Sequence, residues 1–199
     1  MNQVTAILIG AGARGQIYAR YAQEHPEELR IIAVAEPKAD RRALMCRAYG
    51  IPADRAFSNW EDLLARPQMA DAALICTLDD MHTEPTLAAL KQGYHVLLEK
   101  PFTATAAEAR ELFALADAKG LVLMEAITIP YLPQYAFLQA ELPKIGEVRG
   151  AMASFCARSA RYDDYLKGIW NTTFDPACLG GALNDMNVYN LHLLCGLLG

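Results

Sequence analysis

The chain has 199 residues, of which 18 are Lys or Arg and 23 are Asp or Glu, for a formal net charge of −5 and a pI near 5.4. Its 53% hydrophobic content against 21% charged residues fits a globular chain, because a disordered one lacks the apolar groups to offset its ordering entropy. The acidic balance argues against nucleic acid as a partner, and no uncharged apolar run approaches the ~18–20 residues of a membrane span. The apolar run 4–10 has neither a basic segment before it nor a suitably placed cleavage site, so no signal peptide is expected.

In chain order, residues 4–9, 31–35, 72–77, 94–99 and 121–125 form short apolar runs that read as strands. Most are continuously apolar rather than alternating, as parallel strands covered on both faces should be. Segments 16–24, 38–49, 60–65, 84–92 and 106–119 carry helical period. Gly50, Gly93 and Gly120 stand just beyond three of them as stops. Thr105, three residues before Glu108, predicts a capping box for the last. This alternation is the pattern of a doubly wound parallel α/β sheet, a Rossmann sheet, over residues 1–125.

Beyond that the rhythm changes. Pro130, Pro133 and Pro143 flank a short helix, 147–156 reads as one strand, and a polar stretch over 157–176 leads to a final helix beginning near Gly181. Trp170 and Phe174 in the polar stretch are expected to be packing residues. Residues 126–199 are too few for a second domain with its own core, so they read as an incomplete α/β domain. The five cysteines are odd in number and widely scattered, without the spacing of a zinc site or a disulfide frame. They are expected to be buried, reduced thiols of a cytoplasmic protein.

Gly10-Ala11-Gly12-Ala13-Arg14-Gly15 follows the first strand and opens the first helix. In that context the first glycine permits a tight turn and the second lets backbone N–H groups approach a pyrophosphate. The third allows close packing of the helix, whose positive end faces the phosphates. Gly10, Gly12, Ala13, Arg14 and Gly15 are therefore candidate cofactor contacts, although such a loop also serves as a plain turn. Glu36 closes the second strand, where a carboxylate accepts hydrogen bonds from the adenosine ribose of NAD. Lys38, Arg41 and Arg42 lie just beyond. They are either a solvated helix face or the counter-charge for a 2′-phosphate, so NAD is preferred and NADP is kept as a possibility. Glu99-Lys100-Pro101 ends the fifth strand, at the edge of the sheet where ligands bind. Pro101 restricts Lys100 to an extended or turn conformation, and a lysine so placed can donate to a substrate hydroxyl or carbonyl. Taken alone, the same three residues could be a surface turn.

They do not stand alone. With Ile75-Cys76-Thr77, His82 and Gly93-Tyr94-His95-Val96, and with Ala35-Glu36-Pro37 and Gly180-Gly181-Ala182-Leu183-Asn184-Asp185, the sequence resembles the Gfo/Idh/MocA oxidoreductases, relatives of glucose–fructose oxidoreductase and inositol dehydrogenase. The resemblance runs nearly from end to end with the motifs in order. It implies an NAD(P)-binding N-terminal domain, a C-terminal α/β domain with an open sheet, and hydride transfer to or from a small-molecule sugar, cyclitol or related polyol. It places Lys100 against substrate and nicotinamide ribose, and Thr77, His82 and Glu99 along the cofactor cleft. Asp185 matches a catalytic Asp, Tyr189 stands where a His is usual, and His192 stands where many relatives have Asp.

On an ideal helix Asp185, Tyr189 and His192 share one stripe while Val188, Leu191, Cys195 and Leu198 share a packing face. Tyr189 would exchange a proton with the substrate oxygen, Lys100 would stabilise its negative charge, and Asp185 would orient hydroxyls. Arg158, Arg161, Tyr162 and Lys167 are candidate substrate contacts or equally a solvated loop. Relatives continue past the point matching Gly199 and commonly assemble through the sheet found there. The resemblance therefore implies a C-terminally truncated chain and a homo-oligomer for a full-length relative. Two other activities stay open: a nucleotide-binding module without turnover, and NAD-dependent cleavage of glycosidic bonds.

Overall fold

Ala6 and Leu8 point to one face of the first strand and Ile7 and Ile9 to the other, and all four are at most 1% exposed. Burial on both faces is what a central parallel strand requires, and the rest of the sheet is arranged around it. The computed structural model describes residues 3–159 and 161–199, which fall into two compact units meeting at Glu125 and Ala126.

The first unit runs β1 (Val4–Ile9), α1 (Ala13–Glu24), β2 (Leu29–Ala35), α2 (Ala39–Tyr49), β3 (Ala56–Phe57), α3 (Trp60–Leu64), β4 (Ala72–Ile75), α4 (Thr83–Gln92), β5 (His95–Leu98), α5 (Ala106–Lys119) and β6 (Leu123–Glu125). The strands form one sheet in the order β3-β2-β1-β4-β5-β6, all parallel. On one face Ile7, Ile9, Ala33, Ala73, Ile75, Val96 and Leu98 pack with Leu63, Leu90 and Leu112 of α3, α4 and α5. On the other, Ala6, Leu8, Val34 and Leu74 pack with Ala19 and Met45 of α1 and α2. This is the doubly wound architecture read from the alternation of elements. The predicted stops also form: Gly50, Gly93 and Gly120 are left-handed C-caps. The capping box joins the Thr105 N–H to the Glu108 carboxylate at 2.8 Å, with the return bond from the Glu108 N–H to the Thr105 hydroxyl. The two-residue β3 escaped the sequence reading because it is too short to show a period.

The register brings the strand ends level. Ile9 lies opposite Ala35 and Ile75, and Ile75 lies opposite Leu98. One more bond on each side carries the ladder into the loops: the N–H of Gly10 donates to Ala35, that of Cys76 to Ile9, and that of Glu99 to Ile75. The segments after β1, β4 and β5 thus leave the sheet at one height.

The second unit holds α6 (Pro133–Glu141), α7 (Tyr162–Leu166), α8 (Ala182–Asp185) and α9 (Asn187–Leu198). Residues 147–156 form no strand, against expectation. A strand exists by pairing its N–H and C=O groups with a neighbour, and none of the described residues of this unit supplies one. Its core is thin: among the described residues Ile127 and Tyr135 are its buried hydrophobic side chains, whereas Phe137, Ile145, Met152, Leu166 and Leu183 are exposed. Tyr135 holds α6 against α9, since a Cβ added at Gly196 would fall 2.2 Å from its hydroxyl. The expected packing face of the last helix is also open, with Leu191, Cys195 and Leu198 exposed. Trp170, expected to pack, is exposed and donates its indole N–H to Asp175 at 2.7 Å. Of the cysteines only Cys76 is buried, while Cys156 and Cys195 are exposed. This corrects the expectation of five buried thiols: Cys76 alone ends a two-sided strand.

Candidate functional site

The glycine loop is tight for a stated reason at two positions. Gly10 has φ +89°, and a Cβ there would meet the Cys76 carbonyl oxygen at 2.3 Å; one at Gly15 would meet the Gly10 carbonyl oxygen at 2.0 Å. The loop can fold against β4 and α1 only without side chains at these two places. Gly12 differs, because an added Cβ would find only Arg41 Nη1 within 4 Å, at 3.8 Å. Its side-chain position, at the N-cap of α1, is otherwise open. That helix has no side-chain N-cap and no acidic residue in its first turn. Its leading N–H groups and positive end are therefore disposed to take an anion. These observations fit the pyrophosphate of a dinucleotide.

Glu36 is 4% exposed, and its carboxylate turns onto the loop. One oxygen accepts the Ala11 N–H at 2.7 Å and the other the Lys38 N–H at 2.9 Å. The residue expected to receive a ribose is thus also the brace between β2 and the glycine loop. Arg42 curls back to donate to the carbonyls of Glu36 and Pro37, so it is not simply a solvated side chain. Arg41 and Arg42 are half-buried and Lys38 is exposed.

After β4, the Thr77 hydroxyl donates to the Met81 carbonyl at 3.0 Å. His82 is 1% exposed, and its Nδ1 lies 2.7 Å from the Pro101 carbonyl. A carbonyl only accepts, so Nδ1 carries the proton. Burial pushes the imidazole below its ordinary pKa and outweighs the neighbouring carbonyls that favour its charge, so the ring is neutral and Nε2 is a bare acceptor. Nε2 is buried with no hydrogen-bond partner among the described residues. His82 thus faces the turn that carries Lys100.

In that turn the Lys100-Pro101 bond is cis, and Lys100 is 6% exposed, deeply set for a lysine. The Glu99 carboxylate, also buried, accepts the Lys100 N–H at 2.9 Å and the Tyr18 hydroxyl at 2.8 Å, and lies 3.3 Å from Arg14 Nε. Tyr18 is the participant that motif reading passed over. The signal was available as spacing, since Arg14 and Tyr18 are four apart on α1 and share a face.

In the second unit, Tyr189 stacks on Phe155 with centroids 4.6 Å apart. Tyr189 and His192 lie on α9, but Asp185 ends α8, and Met186 interrupts the helix between them. The three are half-buried and belong to two helices that meet at Met186, where one unbroken helix was expected. The four polar-stretch candidates find local partners. Arg158 pairs with Asp163 at 2.7 Å, Lys167 approaches Asp164 at 3.7 Å, Arg161 donates to Thr173, and the Tyr162 ring lies over Tyr165. Among the described residues, no helix is long and apolar enough to cross a membrane.

A glycine loop on the first strand of a β3-β2-β1-β4-β5-β6 sheet, opening an uncapped helix, defines a dinucleotide-binding Rossmann domain. Residues 4–127 match the Gfo/Idh/MocA family, described as an oxidoreductase family with an NAD-binding Rossmann fold, and the chain belongs to that family. It is similar to scyllo-inositol 2-dehydrogenase (NADP(+)) of Bacillus subtilis, at 34% identity over 83% of this chain and 50% of that one. It is also similar to D-xylose 1-dehydrogenase (NADP(+)) of Hypocrea jecorina, at 33% identity over 81% of this chain and 42% of the other. Among solved structures, an inositol dehydrogenase homolog of Azotobacter vinelandii, complexed with NADH and myo-inositol, shares the fold. Its TM-score is 0.83 and its identity 21%, over 99% of this chain and 53% of that one. KijD10, a 3-ketoreductase of Actinomadura kijaniata in complex with NADP, has a TM-score of 0.78 and 28% identity, over 100% of this chain and 56% of the other. The chain spans about half the length of the curated relatives it matches.

Proposed function

We propose that the chain carries the nucleotide site and the lysine turn of an NAD(P)-dependent oxidoreductase that transfers a hydride to or from a sugar, cyclitol or related polyol. The observation that carries this reading is the level row formed by the glycine loop, the β4 end and the buried Lys100 turn at the carboxyl edge of one sheet. In an open α/β sheet that edge is the ligand crevice. The bound nicotinamide supplies or accepts the hydride. Gly10, Gly12, Ala13, Arg14 and Gly15 present backbone N–H groups and the helix end to the pyrophosphate. Glu36 holds the loop and offers its remaining lone pairs to the ribose. Lys38, Arg41 and Arg42 supply the positive charge that a 2′-phosphate needs, and the Bacillus relative is named for NADP(+). The site is therefore read as taking either nucleotide.

Lys100 places its ammonium on the substrate oxygen, where negative charge develops during reduction of a carbonyl or release of a hydroxyl proton. Following the family pattern, Tyr189 passes that proton, with His192 as the alternative, and Asp185 orients neighbouring hydroxyls. Arg158, Tyr162 and Lys167 are the candidates for contacting more distant hydroxyls. A second reading, a nucleotide-binding module without turnover, is favoured by the thin core of residues 126–199.

Thermal unfolding alone, with NAD and with NADP, followed by nucleotide reduction over a panel of polyols, tests both readings. Ligand at ~100 times its dissociation constant adds about 2.7 kcal/mol, which corresponds to a rise of roughly 5–11 °C in a domain of this size. A rise with polyol-dependent reduction supports the oxidoreductase. A rise without reduction supports the module, and no rise with either nucleotide overturns both.

A further inference from the structure

The turn that bears Lys100 is held from the first helix, and the residue responsible lies outside every recognised motif. We propose that Tyr18 is a positioning residue for Lys100: its hydroxyl, together with the Arg14 guanidinium, fixes the Glu99 carboxylate, and Glu99 fixes the Lys100 backbone. The helix that opens the glycine loop and the turn that carries the lysine are thereby joined through one carboxylate. The inference rests on the proposed role of the loop and of Lys100.

The geometry carries it. A buried carboxylate must find donors, and charge-assisted ones are the strong kind. Glu99 finds three, all belonging to the chain. Oε2 accepts the Tyr18 O–H at 2.8 Å and the Lys100 N–H at 2.9 Å, while Oε1 lies 3.3 Å from Arg14 Nε. Arg14 and Tyr18 are neighbours on one face of α1, and Arg14 directly precedes Gly15 of the loop. Tyr18 keeps its proton, because burial and then the Glu99 charge push its pKa far up, so it is a permanent donor. Cys76, at the end of β4 beside this carboxylate, is held as a neutral thiol by burial and by the same charge. The Arg14 side chain is half exposed. Glu99 accordingly acts through Lys100 as a brace, with its acceptor capacity directed to α1 and the turn.

Tyr18→Phe removes the hydroxyl and keeps the ring, so it isolates the link. In the nucleotide-free 15N-labelled chain, hydrogen exchange of the Lys100 amide is expected to accelerate about tenfold, as loss of one charge-assisted bond implies. The Val96 and Leu98 amides of β5 should keep their rates. An unchanged Lys100 rate, or one that rises in step with Val96, overturns the proposal. If Tyr18→Phe does not fold, Arg14→Gln at the half-exposed end of the link should move the same amide in the same direction, and an unmoved amide is again fatal. A second measurement uses NADH affinity in a cycle of Tyr18→Phe, Lys100→Met and the double variant. Tyr18→Phe should weaken binding several-fold in the native background and not at all with Lys100→Met, whereas equal weakening in both means Tyr18 does not act through the lysine. Failure of the native chain to bind any nucleotide refutes the proposed function, and the exchange rates then still decide the brace.

Discussion

Gly12→Ala and Gly15→Ala should separate the folding of the glycine loop from its use. At Gly15 the new Cβ falls 2.0 Å from the Gly10 carbonyl oxygen and 3.3 Å from Leu8 Cδ1, where real Cβ atoms stay beyond 3.0 Å. Backbone must therefore move by about 1 Å on one side, and overpacking of that kind costs ~1–3 kcal/mol. A drop of roughly 2–12 °C in the unfolding midpoint follows at ~2–4 °C per kcal/mol. At Gly12 the backbone has φ −68° and ψ −166°, which alanine adopts freely, and the nearest atom is Arg41 Nη1 at 3.8 Å. Folding should be unaffected, or favoured by ~0.4–1 kcal/mol through the unfolded chain's lost freedom. The same methyl, however, would occupy the outward space that a pyrophosphate must approach. Titration by NADH fluorescence, run beside thermal unfolding, is expected to show at least about tenfold weaker binding for Gly12→Ala at an undiminished midpoint. Native affinity in Gly12→Ala would mean that phosphate does not approach this loop, and a native midpoint in Gly15→Ala would mean that the loop relaxes in a way the backbone contacts do not allow.

Three further outcomes follow from individual side chains. His82 is held neutral by burial, so its pKa in the fold lies below its unfolded value of ~6.5. The unfolded chain then binds more protons as pH falls, and this contribution to stability is complete above ~6.5 and lost below it, with a slope of at most about 1.4 kcal/mol per pH unit. Denaturant titrations across that range should show the loss. His82→Asn, which still offers a donor to the Pro101 carbonyl, should flatten it, and parallel native and variant profiles would count against the assignment. Thr105→Ala dissolves the capping box on α5 and should cost about 1 kcal/mol, read as a midpoint ~2–4 °C lower; an unchanged midpoint means the helix start is held by other bonds. Tyr189→Phe keeps the ring that stacks on Phe155, so unfolding and NADH affinity should persist while polyol-dependent turnover falls about 10²-fold or more. Unaltered turnover would move the proton to His192.

How much of this was legible from residues alone depended on burial. Along β1, β2, β4 and β5 the apolar runs are packed from both sides, so composition reported directly on structure: Ile7 and Leu8 face opposite cores and both are fully buried. Local chemistry was equally readable, because the Thr105–Glu108 box and the glycine stops involve residues only a few positions apart. The strand expected over 147–156 shows the opposite case. Its apolar residues suited a sheet, but a strand is a relation between two segments, and the sequence of one carries no record of whether the other is present. The long final helix failed for a related reason. Helical period continues through Met186, and the departure of one backbone there, at φ −109°, leaves no mark in the spacing of apolar residues.

The site divides along the same line. Glycines, the carboxylate ending β2 and the lysine turn were found because each is a short motif at a strand end, and the level register of β1, β4 and β5 then brings them to one height. Their second roles were hidden, because they arise from groups 25 and 81 positions apart: the Ala11 N–H on Glu36, and the Tyr18 hydroxyl on Glu99. Motif reading sees the carboxylate and assigns it to a ligand; the fold shows it satisfied by the chain first. For a buried acid that order is required, since an unpaired carboxylate would be more costly to bury than any later ligand could offset in the free protein. The acids of such a site are therefore part of the scaffold before they are part of the chemistry, and the backbone of the lysine that follows Glu99 is held by a bond that exists without substrate.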